Sequence, residues 1–120
     1  MASRYADADE YYAAQTPEAA AMMKKVYAAV EEMFPQLEEK IAWNILMLHV
    51  GGKYVMGVSS TKGYLLYNPF SKQIMIDFDE RLAAYTPKSF TFRIPFDWEI
   101  DRDLLRDLTQ ARLDEIAQGT

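Results

Sequence analysis

The chain has 120 residues, 50% of them apolar, no cysteine, and a net charge of -5 with a pI near 4.8. That length makes a single domain over 1–120 that can bury a core without staples, and the missing cysteines exclude disulfides, a thiol nucleophile and a thiolate metal site. The acidic balance argues against a nucleic-acid binder, no apolar run approaches the roughly 18 residues of a membrane span, and the polar opening from Met1 has no signal core, so a cytoplasmic setting is expected.

Residues 7–14 can form a short helix that ends before Thr16-Pro17. Thr16 is a capping residue and Pro17 fits a first helical turn, so a second helix is predicted from there to about Phe34, stopping at Pro35. Met23, Val26, Val30 and Met33 recur at helical spacing and give it one apolar stripe. From Lys40 the period changes to two. Ile41, Trp43, Ile45 and Met47 alternate with Ala42, Asn44, Leu46 and Leu48, which predicts one strand over 40–50 with both faces largely apolar. Gly51-Gly52 turns the chain into a strand over 53–60, and Thr61-Lys62-Gly63 turns it into another over 64–68, ended by Pro69.

Residues 77–85 read as a short helix, and 74–76 fit either a strand or that helix's first turn. Phe90, Phe92 and Ile94 alternate with Thr91 and Arg93, the mark of a half-buried strand. Asp101 can cap a last helix, with Ile100 and Leu105 as a hydrophobic staple, Leu104, Leu108, Arg112 and Ile116 on its inner side, and Gly119 at its end. Strands grouped between helices predict an α+β two-layer sandwich, with the N- and C-terminal helices on one face of an antiparallel sheet.

Charge is unevenly spread. Residues 40–76 contain no Asp or Glu, yet hold Lys40, Lys53, Lys62, Lys72 and the only histidine, His49.

The segments Glu10-Tyr11-Tyr12, Thr16-Pro17, Glu39-Lys40-Ile41-Ala42-Trp43, Gly52-Lys53, Lys62, Leu82-Ala83-Ala84-Tyr85, Ile94-Pro95 and the helix from Leu104 to Arg112 resemble, in their order and spacing, the YdhG-like family of small bacterial proteins. The resemblance spans nearly the whole chain. It implies a frataxin-like α+β fold; most members have no assigned function, and a few are proposed intracellular iron chaperones. Asn44 and Leu46 stand where the family usually has a glycine and a proline. Gly63-Tyr64 stands where it often has a histidine.

Two constellations could carry function. Trp43, Tyr54, Tyr64 and Tyr67 lie on adjacent predicted strands with Lys53, Lys62 and Lys72 at their ends. Rings can stack a flat ligand while lysines hold its anionic group, although the same rings could equally form the core. Glu31, Glu32, Glu38 and Glu39 form an acidic cluster. It is the metal set of the alternative, iron-chaperone reading, with iron weakly bound, or else a solvated face. That reading is weakened because the strand taken to start at Lys40 adds no acid. His49 beside the glycine turn has no sequence neighbour that would make it a catalytic base, and Ser59-Ser60-Thr61-Lys62-Gly63 joins two strands rather than opening a phosphate-binding helix.

The expected function is therefore non-enzymatic: binding of an anionic small molecule, or of a partner subunit in a homodimer, on the sheet face that the helices leave open. Neither nucleic acid nor membrane is an expected partner.

Overall fold

In this computed structural model residues 4–119 are described; Met1, Ala2, Ser3 and Thr120, part of the expected domain, lie outside them. Helices begin where the capping residues put them. Asp7 accepts a hydrogen bond from the Glu10 amide at the head of α1 (Ala8–Ala13), Thr16 from the Ala19 amide at α2 (Pro17–Met33), and Asp101 from the Leu104 amide at α5 (Arg102–Ala117). Each bond satisfies a donor that a helix's first turn leaves without an intrahelical partner.

One antiparallel sheet runs in chain order through β1 (Glu38–Ala42), β2 (Ile45–Val50), β3 (Lys53–Ser60), β4 (Leu65–Asn68) and β5 (Phe92–Ile94). The α+β architecture expected from the sequence is the one found. Two elements differ from expectation. Residues 40–50 are two strands rather than one. Trp43 and Asn44 take left-handed backbone at φ 52° and 60°, the two-residue turn whose twist suits a hairpin. Because β1 now begins at Glu38, Glu38 and Glu39 belong to the sheet. The expectation that the sheet supplies no acid fails at this edge.

The second difference is the region after Pro69. Residues 74–76 are helical, inside α3 (Lys72–Asp77), which Ser71 caps by accepting from the Ile74 amide. The expected helix over 77–85 is broken into the end of α3, a single turn α4 (Asp79–Leu82) and a 3-10 turn at Ala83–Tyr85. Thr86 closes it with φ 46°.

Cross-strand partners share a face of a sheet. Leu46, Leu48, Met56, Val58, Leu65, Tyr67, Phe92 and Ile94 point inward and are buried. They form one core with Tyr11 of α1, Val26 and Tyr27 of α2, Ile74 of α3, Leu82 of α4 and Leu105 of α5. All five helices thus bury side chains on the same side. The opposite face, left without a helical layer, carries the register row Lys40, Met47, Gly57, Asn68 and the partial row Ser59, Leu66, Arg93.

Candidate functional site

Pairing between β2 and β3 runs from Val50 opposite Lys53 to Met47 opposite Gly57 and then stops, although both strands continue. Tyr27 accounts for the gap. Its hydroxyl accepts from the Val58 amide at 2.7 Å and donates to the Leu46 carbonyl at 2.5 Å. A side chain from the helical layer thereby stands in for a direct ladder bond. The Tyr11 hydroxyl donates to the Val58 carbonyl at 2.7 Å. Burial pushes both phenols above their ordinary range, so both remain protonated donors.

Over this split, on the open face, lies a cleft of about 200 Å³. Ile45, Met47, Leu66 and Phe70 give it apolar walls, and Ser59, Asn68 and Thr91 add polar groups. Gly57 lets the cleft exist. A Cβ on it would lie 2.5 Å from the Met47 sulfur, so only the bare backbone lets Met47 lie flat across the neighbouring strand. Phe70 is held in a left-handed conformation, φ 59°, where a non-glycine residue is strained. The Asn68 side-chain oxygen accepts from its amide at 2.8 Å and fixes it there.

Aromatic rings extend from the cleft across the face. Tyr54 meets Phe70 at 5.5 Å between ring centroids and Trp43 at 5.3 Å. Trp43 is 72% exposed, which a large indole with only core duties would not be. The Lys40 ammonium lies 6.0 Å from the Tyr54 centroid, and the Arg93 guanidinium 4.3 Å from that of Tyr64. Among the described residues no carboxylate comes within ion-pair distance of either cation.

The six residues proposed from sequence do not form one site. Trp43 and Tyr54 are together on the open face. Lys53 and Lys62 are exposed at opposite ends of β3. At about 3.3 Å per residue, the ends of that strand are roughly 23 Å apart. Tyr64 stands with Arg93 at the Lys62 end, and Lys72 is on α3. Tyr67 must be withdrawn from the set. It is fully buried on the inward face and stacks on Phe92 at 4.9 Å. Lys40, Phe70 and Arg93 were missed. The outward direction of Arg93 is legible from its place between Phe92 and Ile94, whereas nothing in the sequence announces the backbone of Phe70. His49 pairs across the strands with Glu38 and Tyr54, and its Nδ1 is buried with no hydrogen-bond partner among the described residues.

The four acidic candidates also separate. Alternation along β1 sends Glu38 to the open face and Glu39 inward, toward α2. Glu39 meets Glu31 there. Burial, followed by the hydrogen bond and charge of Glu39, lifts the Glu31 carboxyl from 4.5 to about 7. Glu32 instead reaches Arg102 of α5, 3.2 Å away. Among the described residues no three His, Cys, Asp or Glu side chains converge as a metal site would require.

The Glu31–Glu39 contact has a pH consequence. A carboxyl whose folded value lies above its unfolded one favours the folded state while protonated. This contribution is complete below about pH 4.5 and is lost as pH rises through about 7. Glu31 is only part-buried, so the effect is screened to roughly 1 kcal/mol or less. Glu31→Gln is expected to raise stability at pH 8 and to flatten the pH dependence between 5 and 8, read by urea unfolding at each pH; a wild-type profile already flat across that range would contradict the shared proton.

No family model matches the chain, and no curated protein does. Among solved structures, the crystal structure of YdhG from Bacillus subtilis, a protein of the DUF1801 family, superposes with a TM-score of 0.85. The match covers 93% of this chain and 92% of YdhG at 23% identity. The chain has the YdhG fold. An uncharacterized conserved protein from Lactobacillus casei ATCC 334 matches with a TM-score of 0.61 and 26% identity over 95% of each chain. Within the YdhG fold, Asn44 sits at the second left-handed position of the β1–β2 turn. Glycine and asparagine are the residues that tolerate that backbone best. No helix among the described residues is long and apolar enough to cross a membrane.

Proposed function

We propose that the protein is a non-enzymatic cytoplasmic binding protein that holds a small anionic molecule on the open face of its sheet. The observation that carries this reading is the concave apolar cleft on a face without a helical layer, with Lys40 and Arg93 beside it on the same face, neither of which has a carboxylate partner among the described residues. Cations left without counter-charges favour an anion, and an apolar cleft with few polar groups suits a ligand's body. The lining holds no carboxylate, histidine or cysteine, which fits binding rather than catalysis.

Amide NMR spectra test the reading, recorded with benzoate, citrate, inorganic phosphate and phenyl phosphate added in turn. At least one of these anions is expected to move the Ile45, Met47, Gly57, Ser59 and Leu66 signals as a group. If none moves them at millimolar concentration, the reading falls.

The same face could instead meet a second copy. A two-fold contact would bring this acid-poor, cation-flanked face against itself, which like-charge repulsion disfavours. Light scattering after size exclusion separates the cases: a dimer that blocks ligand shifts would favour the subunit contact. The iron-chaperone reading, with a frataxin-like handling of ferrous ion, rests on Glu31 and Glu39 as a ready carboxylate pair. Ferrous binding that survives changing Glu31, Glu32, Glu38 and Glu39 to glutamine would show that this cluster is not the site.

A further inference from the structure

We infer that the cleft selects a compact carboxylate, with a single-ring or branched-alkyl body against Ile45, Met47, Leu66 and Phe70 and its carboxylate toward Ser59, Asn68 and Thr91. This rests on the anion-binding reading above and narrows it to one ligand class.

Volume limits the body. A cavity of about 150 Å³ accommodates one benzene ring. The cleft's 200 Å³ therefore takes a ring or a branched chain with one small substituent, and not a nucleotide or an extended acyl chain.

The polar groups set the head. The hydroxyls of Ser59 and Thr91 make no hydrogen bond to protein among the described residues. Asn68 has its oxygen committed to the Phe70 amide, which leaves its side-chain nitrogen free to donate. A carboxylate only accepts, and these three groups can all donate to it. Arg93 is the cross-strand partner of Leu66 and lies two residues beyond Thr91. Its guanidinium lies over the Tyr64 ring, next to the cleft on the same face rather than in its lining, and its delocalised charge suits a carboxylate that reaches that rim.

Charge separates a carboxylate from a phosphate ester. A dianion gives up more hydration and is usually met by several fixed cations or a helix N-terminus. This end of the cleft offers one guanidinium. Lys40 stands at the far side, beyond Met47 in the same register row.

Isothermal titration of the full chain tests the inference with benzoate, isovalerate, benzyl alcohol, phenyl phosphate and citrate. Benzoate or isovalerate is expected to bind with a Kd of about 1 mM or better, and benzyl alcohol and phenyl phosphate about tenfold more weakly. Arg93→Gln, a surface change, should weaken the carboxylate about tenfold without altering benzyl alcohol binding. Leu66→Trp, placed at the half-buried rim, should fill the cleft and remove binding while the circular dichroism spectrum stays that of the wild type. Phenyl phosphate or citrate binding as tightly as benzoate would overturn the ligand class yet leave an anion-binding protein. Benzyl alcohol binding as tightly as benzoate would overturn the role of charge. If no probe binds, the inference and the reading beneath it fall together.

Discussion

Tyr27→Phe is expected to destabilise the protein by about 2–3 kcal/mol in urea unfolding and to lower Tm by roughly 10 °C. The substitution keeps the ring and its packing. What it removes is the hydroxyl that accepts from the Val58 amide and donates to the Leu46 carbonyl. Both backbone groups belong to buried residues, and a buried donor or acceptor left unmade forfeits its full desolvation penalty. Tyr11 offers no replacement, because its hydroxyl is committed to the Val58 carbonyl on the other side. The alternative is that β2 and β3 simply close and pair directly once the wedge is gone. In that case the loss would be under about 0.5 kcal/mol. The two outcomes lie far enough apart for one measurement to decide whether Tyr27 holds the strands open.

Gly57→Ala should remove ligand binding while changing stability by less than about 1 kcal/mol. The new methyl would sit 2.5 Å from the Met47 sulfur but no nearer than 3.5 Å to backbone, so the flexible thioether is what gives way. Met47 is a wall of the cleft, and the space it can swing into is the cleft itself. Alanine also narrows the unfolded ensemble, which offsets part of the strain in the folded state. Titration of the variant with benzoate reads the binding, and thermal unfolding reads the stability. Retained affinity would mean that Met47 moves elsewhere and that the cleft does not depend on the bare strand at Gly57.

Much of the fold was legible because its determinants are local. Thr16 and Asp101 announce helix starts within three residues of themselves. Met23, Val26 and Val30 of the predicted stripe are fully buried. The alternation of Phe92 and Ile94 with Arg93 gives the two faces of β5. The β1–β2 turn was not legible. An indole and a carboxamide at positive φ carry no glycine or proline signal, and the apolar alternation runs straight through them.

The site was harder to read for the same kind of reason. Which face of the sheet the helices cover is a tertiary choice, so Tyr67 could not be told from Tyr54 by pattern. Tyr67 lies in the core, and Tyr54 lies outside only because a bulge near His49 shifts the register of β3. The wedge joins Tyr27 to backbone 19 and 31 residues away, beyond the reach of any periodicity. The acid-free stretch over 40–76 is mostly sheet, where few charges belong. Its informative members are the cations on the open face, and one of those, Arg93, lies outside it.

The central claim is that the open sheet face, not the helical side, holds a small carboxylate. Intermolecular nuclear Overhauser effects from bound benzoate test it most directly. Contacts from the benzoate ring protons to the methyl groups of Ile45, Met47 and Leu66 are the expected result. Contacts only to side chains of α2 or α5, or to none, would contradict it.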